Sequence, residues 1–512
     1  SGTAEWPRPI DDAIGLLDLP KFGVVEAPEV GTAVAANHYP SIQHAIDDVT
    51  NPASSSYGRM VWIPAATYGG AGSQLRRIFL KTGVHLKIHS FALFHRDHEA
   101  PNVNGGFYSS MWHGAFIKNS DFFSPISDVI VEGGLFFNDA VNNGSDNMFT
   151  GGSVIANLCD RFVCRNVNIG NHGVPDGSQP QGGESASVIY LVGHDIFVYN
   201  NEITNPEGFA GKDGVHLWGG GRLHVMSNFI EAGDDAIATA SSPISNLIGG
   251  RTQTIQNLNI EDVEIFNNVL ISHNARVLHA GHANSVVPAG SMTPYPRMTN
   301  TVENIRFRNF FGICGGVNQM LNVSSVTAPS KVELWPFSGQ ITPAQVRNVV
   351  IKDGHIKGSD TLSLTMRRPP NGIRIRTDDI GSVYNVLIDN VRVRNVEPEF
   401  DMFGNLDQSS RIFVVEKVLM YRASPLDWLF YGHDNEMIQV QNCIFDAKSL
   451  DDFNQPDGGP DAMFLYWIDG LVPFEINDIE NSGNNTLNFF SLPQDPGTRR
   501  LNQSNHTGNS NN

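Results

Sequence analysis

Asp160-Arg161-Phe162-Val163-Cys164-Arg165-Asn166-Val167 is one copy of a pattern that returns along the whole chain. An earlier copy is Ser127-Asp128-Val129-Ile130-Val131-Glu132-Gly133, and later ones occupy 194–203 (HDIFVYNNEI), 222–230 (RLHVMSNFI) and 257–266 (NLNIEDVEIF). The series continues at 302–310 (VENIRFRNF), 346–356 (VRNVVIKDGHI), 383–393 (VYNVLIDNVRV) and 437–445 (MIQVQNCIF). Each copy alternates β-branched or aromatic residues with polar ones, which is the period of a strand with one buried side. Copies recur every roughly 25 to 45 residues, the range of solenoid repeats once loops are allowed for.

Strands that return in the same sense without intervening helices stack as coils. Two-residue hairpin turns, which an antiparallel sandwich needs, are few. The pattern therefore predicts an all-β, right-handed parallel β-helix. Its inward Val, Ile, Leu and Phe form ladders along the axis, with coils about 4.8 Å apart. Asn beside the apolar positions is expected at tight turns, because its side chain tolerates the left-handed backbone. Useful helical periodicity is confined to residues 42–49, a short helix that can cap the open end of the stack.

Composition agrees with a single stacked domain. The chain of 512 residues holds 50 Gly and 17% charged residues, and its 40% hydrophobic content excludes general disorder. We divide it into an N-terminal segment and cap (1–100), a parallel β-helix domain (101–500) and a polar tail (501–512). The net charge of −19 comes without a basic stripe, which argues against nucleic acid as a partner. No apolar run reaches eighteen residues, so no membrane partner is expected. Residues 1–4 (SGTA) do not look like a signal peptide. The 4 cysteines are too scattered for a zinc site. They are expected to be mostly buried thiols, with a Cys159–Cys164 pairing left open. Neither a cofactor nor a metal is called for, and the oligomeric state is open.

One stretch departs from the repeat: Gly211-Lys212-Asp213-Gly214-Val215, followed by Gly233-Asp234-Asp235-Ala236-Ile237-Ala238. A separation of 21 residues between Asp213 and Asp234 is about one short coil and would place them on adjacent strands. Burying either neighbouring charge in an apolar core would be costly, so a kink at Gly233 that turns both outward is expected. Crowded carboxylates repel, and at least one should hold its proton at neutral pH, as a general acid requires. Paired acids also suit Ca²⁺, which is the competing reading of the cluster.

The stretch resembles the polygalacturonases, glycoside hydrolase family 28, whose motifs run N-T-D, G-D-D, G-H-G and R-I-K. This chain offers Gly211-Lys212-Asp213, Gly233-Asp234-Asp235, Ser272-His273-Asn274 and Arg374-Ile375-Arg376 in that order. The histidine segment Ser272-His273-Asn274-Ala275-Arg276 is nearer to the related family 49 dextranases. The opening is similar too: residues 42–46 precede Val61-Trp62-Ile63-Pro64 and then residues 78–86 (IFLKTGVHL), as in pectin-degrading β-helix enzymes.

The resemblance implies a secreted or periplasmic enzyme that hydrolyses an extracellular, pectin-like or other polysaccharide with inversion. Asp234 would be the general acid, Asp213 and Asp235 would hold the attacking water, and His273 would tune the acid. Arg374, Arg376, Lys212, Arg276 and Trp218 would bind substrate. His279 and His282 compete with His273 for the histidine role. The family's Asn and Thr are replaced by Gly211 and Lys212, and 101 residues separate His273 from Arg374. Two other functions remain open on such a fold: a polysaccharide lyase, with Arg276, Arg374 or Lys212 as its base, and a tailspike-like or carbohydrate-binding protein.

Overall fold

The computed structural model describes residues 24–26, 41–69, 78–96, 116–120, 124–138, 154–170, 188–204, 213–233, 235–241, 244–248, 251–255, 259–273 and 276–282. Further on it describes 300–314, 319–325, 344–358, 371–378, 382–394 and short strands scattered between 399 and 507. The chain forms two compact units, Ser1–Gly233 and Asp234–Asn512.

Helix Ile42–Val49 begins where Ser41 accepts a hydrogen bond from the His44 amide and so caps the first turn. Its apolar positions Ile42, Ala45, Ile46 and Val49 are buried on one face. This is the short helix expected of the cap. No helix among the described residues is long and apolar enough to cross a membrane.

In the first unit the main ladder is parallel throughout. Strands Ile126–Glu132, Ile155–Arg165, Ile189–Tyr199 and Val215–Met226 pair in order. Two inward columns, Val129–Phe162–Ile196–Leu223 and Val131–Cys164–Val198–Val225, have no solvent exposure. This is the apolar ladder of a right-handed parallel β-helix, the hand that parallel crossovers take. Each Val or Leu so buried contributes roughly 1.5–3 kcal/mol.

The corners of the coils are left-handed residues. Arg161, Asp195 and Arg222 take positive φ, and Asn166, Asn200 and Ser227 do so five positions later. The first set stacks into a column with Asp128 (φ 61) at its head. Arg161 grips Asp128 through two bonds of 2.5 and 2.6 Å, and Arg222 grips Asp195 through two of 2.6 and 2.8 Å. Asn is thus the expected corner residue at one position, but charged pairs hold the other. Next to the second corner, Asn201 and Asn228 turn inward and bond each other at 3.1 Å, and each also donates to a strand carbonyl. That satisfies amides which would otherwise be costly to bury.

The second unit repeats the arrangement. Strands Ile260–Phe266, Asn300–Cys314, Ala344–Gly358 and Ser382–Arg394 form one parallel face, with Val263–Ile305–Val349–Val386 as an inward column. Asp262, Asn304, Asn348 and Asn385 take positive φ and pass side-chain hydrogen bonds of 2.9 to 3.0 Å up the stack. A second face runs through Ile237–Ser241, Leu278–His282, Gln319–Ser325, Asn371–Asp378 and Phe413–Val418. Pairing continues to Arg500–Asn502 and His506–Thr507, so strand backbone extends into the segment read from sequence as a polar tail. There Leu501 aligns with Ile476, which extends an apolar position of the stack.

Cys159, Cys164 and Cys314 are buried free thiols. The pairing of Cys159 with Cys164 does not form, because both lie in one extended strand, Ile155–Arg165. Burial pushes both thiols well above their usual range.

Burial also governs the response to acid. His224 stacks on Phe197 at 4.5 Å, and burial holds it down to about 4 against an ordinary 6.5. Glu132 bonds His85 and Arg165, which together hold it down to about 2 against an ordinary 4.5. Between the native and ordinary values the unfolded chain binds the extra proton, so stability falls as pH falls. Loss is expected first between pH 6.5 and 4 from His224, then from 4.5 to about 2 from Glu132. Urea midpoints measured across pH should show both stages, and His224→Phe should remove the upper one. A midpoint independent of pH over 4 to 6.5 in the parent chain would refute that assignment.

Candidate functional site

In the first unit the expected Asp213 stands two residues before strand Val215–Met226. Its carbonyl accepts from the Val188 amide at 2.8 Å, which ties it to the preceding coil. The residue is buried, and its Oδ2 lies 2.7 Å from His216 Nδ1. A carboxylate so enclosed needs such a partner. The imidazole of His216 meets this need through a hydrogen bond at its Nδ1.

His216 is itself held between aromatic rings. Trp218 stacks on it at 4.4 Å and 27°, and Tyr190, its register partner on the neighbouring coil, packs at 6.0 Å. The pairing of the two strands slips here, since Leu191 faces Leu217 while Val192 faces Gly219. Trp218 is therefore the extra residue of a β-bulge, a device that re-aims a side chain. It is half-buried, so part of the indole faces outward.

In the second unit Asp235 stands two residues before strand Ile237–Ser241. It is buried, contrary to the expectation that a kink would turn the acid pair outward. Compensation makes burial tolerable. Arg276 Nε lies 2.6 Å from Oδ1, the Arg276 amide donates to the same oxygen at 3.2 Å, and His279 Nδ1 lies 3.3 Å from Oδ2. Burial opposes the charge most strongly, but Arg276 and His279 outweigh it and hold the carboxyl down to about 2. Asp235 is thus held as an ionised carboxylate at ordinary pH.

The backbone places these groups by register. Ile237 pairs with Leu278, so Asp235 and Arg276 stand opposite one another on consecutive coils. His279 then aligns with Asn322 and Asn322 with Arg374, which puts His279 and Arg374 in one column two coils apart. Arg376 occupies the column of Ser324 and Gly281. At about 4.8 Å per coil, the His279 and Arg374 backbones are roughly 10 Å apart.

Of the three histidines left open, His279 is the one with a described contact to Asp235. His273 is buried just after strand Val269–Ser272, and His282 ends strand Leu278–His282. Asp234, Lys212 and Asn274 lie outside the described residues, as do the side chains of Arg374, Arg376 and His282. Arg276, expected to bind substrate, is in contact with Asp235. His216 was missed: it stands three residues after Asp213, a spacing that is not a contact in a regular strand.

Together, fold and side chains define a parallel β-helix with enclosed carboxylates, each paired to a histidine. No family model and no curated protein sequence matches the chain. Solved structures with the same fold do. One is the family 28 exopolygalacturonase of Yersinia enterocolitica, at 13% identity, covering 90% of this chain and 78% of that one, with a TM-score of 0.44. Another is PfbA, a surface adhesin of Streptococcus pneumoniae, at 12% identity, covering 90% and 91%, with a TM-score of 0.48. A third is the polygalacturonase of Erwinia carotovora, at 12% identity, covering 92% and 97%, with a TM-score of 0.42. The likeness is one of fold and does not choose between hydrolase and adhesin.

Proposed function

We propose that the chain is a glycoside hydrolase that cleaves a polysaccharide outside the cell, with inversion at the anomeric carbon. The observation that carries this reading is Asp235, a buried carboxylate kept ionised by Arg276 and His279. An isolated buried acid would take up a proton instead, so the surroundings are built to keep this one charged. Inverting hydrolysis needs one carboxylate that stays ionised beside water and one acid that gives up a proton.

In this assignment Asp234 donates its proton to the glycosidic oxygen as the bond to the anomeric carbon breaks. Asp235 orients a water, whose oxygen bonds to that carbon and whose proton passes to a carboxylate; for Asp213 a water-holding role is carried over from the resemblance to the polygalacturonase motifs. Arg374, Arg376 and Lys212 bind the sugar chain, for which a guanidinium offers a planar fork of donors. Trp218 stacks on a sugar ring. Polymers of this kind do not cross membranes, so the enzyme acts as a secreted or periplasmic protein.

The test is a reducing-end assay on a panel of neutral and anionic polysaccharides, read together with ultraviolet absorbance for unsaturated ends. New reducing ends without absorbance, lost in Asp234→Asn, are the expected result. Absorbance that rises with cleavage would make the protein a lyase. Binding of a polymer that is never cut would make it an adhesin.

A further inference from the structure

Resting on that reading, we infer that His216 is the positioning residue for Asp213. It fixes the carboxylate by a buried hydrogen bond and is itself fixed by the aromatic stack of Trp218 and Tyr190.

Three observations in the first unit converge on this. First, the His216–Asp213 contact is short at 2.7 Å, and both side chains are almost fully buried, at 7% and 6% exposure. A hydrogen bond to an ionised group in such surroundings is among the stronger ones a protein makes. Second, the ring has little freedom to turn away. Trp218 covers one face at 4.4 Å, and Tyr190 abuts it from the next coil. Third, the bulge at Trp218 is what brings the indole onto the imidazole. In a regular strand, residues 216 and 218 lie side by side on one face without stacking. The register slip between Leu191 and Val192 marks a local departure from regularity at this position.

The consequence is that Asp213 has one orientation set before substrate arrives. One carboxylate oxygen is committed to the imidazole, so the direction of the other follows from the rigid coil. Misplacement of such a group by about 1 Å can cost about 10²-fold in rate without touching the substrate. His216 itself need not contact the reacting atoms. Its effect passes through Asp213, and should fall on kcat and leave KM nearly unchanged.

Two substitutions in the full-length chain test this. His216→Phe keeps a ring against Trp218 but removes the donor, while His216→Asn restores a short side-chain donor. Both are measured beside Asp213→Asn on a polymer that the wild type cuts, with thermal melts on every variant. The expected result is a loss of about 10²-fold in kcat for His216→Phe, with KM within about twofold and the melt little changed. His216→Asn should recover at least about tenfold of that loss.

If His216→Phe keeps kcat within about threefold while Asp213→Asn is inactive, the positioning role is wrong and the hydrolase reading stands. If both His216 variants lose activity only in proportion to a lowered melt, the residue is structural and the proposal fails. If Asp213→Asn retains full activity, or the wild type cuts no polymer, the reading beneath the proposal falls with it.

Discussion

Asp235→Asn is expected to fold and to lose about 10³-fold or more in kcat, whereas Arg276→Met is expected to lose stability before anything else. The two changes remove opposite ends of one ion pair, and the asymmetry follows from burial. Asp235 is 3% exposed and Arg276 21%. Taking away the carboxylate leaves a guanidinium that reaches water, and the amide of Asn can still accept the Arg276 bonds. Taking away Arg276 removes the cation at 2.6 Å from a buried charge, which still faces His279. Breaking a buried pair from the cation side costs about 3–5 kcal/mol; partial exposure of Arg276 places this pair near the lower figure. Adding Asp235→Asn to Arg276→Met should return much of the loss, because the buried charge is then gone. Urea unfolding of the two single variants and the double variant measures this directly. Equal losses from both single changes would mean that the pair is not held as described.

Gly220→Ala should be the most damaging single methyl in the first unit, at about 4 kcal/mol. Gly220 has φ +113, a conformation that an alanine adopts only under strain. Its added Cβ would stand 1.6 Å from the carbonyl oxygen of Gly193 on the neighbouring coil. Gly193, in register with it, repeats the relation one coil back, where a Cβ would meet the Cys159 carbonyl at 2.0 Å. Backbone lies against backbone here, so no side chain can move aside. The contrast is Gly83→Ala: its φ is +79, but nothing lies within 4 Å of its Cβ. That change should cost only the strain of the left-handed backbone, about 1–2 kcal/mol. Thermal melts of the two variants separate strain from collision; equal losses would show that collision plays no part.

These two sites also mark how far the fold was legible in the sequence. The alternation in 160–167 and its later copies was enough to predict parallel coils, because a period of two with one apolar side admits few other structures. Asn at the corners was legible for the same reason: Asn166, Asn200, Asn304 and Asn348 follow a local backbone preference. Arg161 and Arg222 at equivalent corners were not, since a left-handed Arg is stabilised by an acid one coil away and not by its own chemistry.

The site followed the same division. Asp213 and Asp235 stood out because paired acids interrupt an apolar pattern. Their partners were hidden by different causes. Arg276 and His279 reach Asp235 across about forty residues, through a register that depends on the length of an intervening loop. His216 is close in sequence, but three residues is not a strand contact; it needs the turn at Gly214 and the bulge at Trp218. For Asp235 the expectation of an outward carboxylate did not hold, because it weighed burial of a lone charge and not of one paired with a guanidinium from the next coil.

The column Asp128, Arg161, Asp195, Arg222 gives the coils of the first unit a parity. A solenoid in which each coil touches only its neighbours can gain or lose whole coils and still close its ladders. In this one, deletion of a single inner coil would set Asp on Asp or Arg on Arg at a spacing of about 4.8 Å, where like charges repel. Deletion of two consecutive inner coils would bring Asp128 against Arg222 and restore the alternation. Descendants of this chain that change length in that unit should therefore do so in steps of two coils, unless a neutral corner residue has first erased the sign.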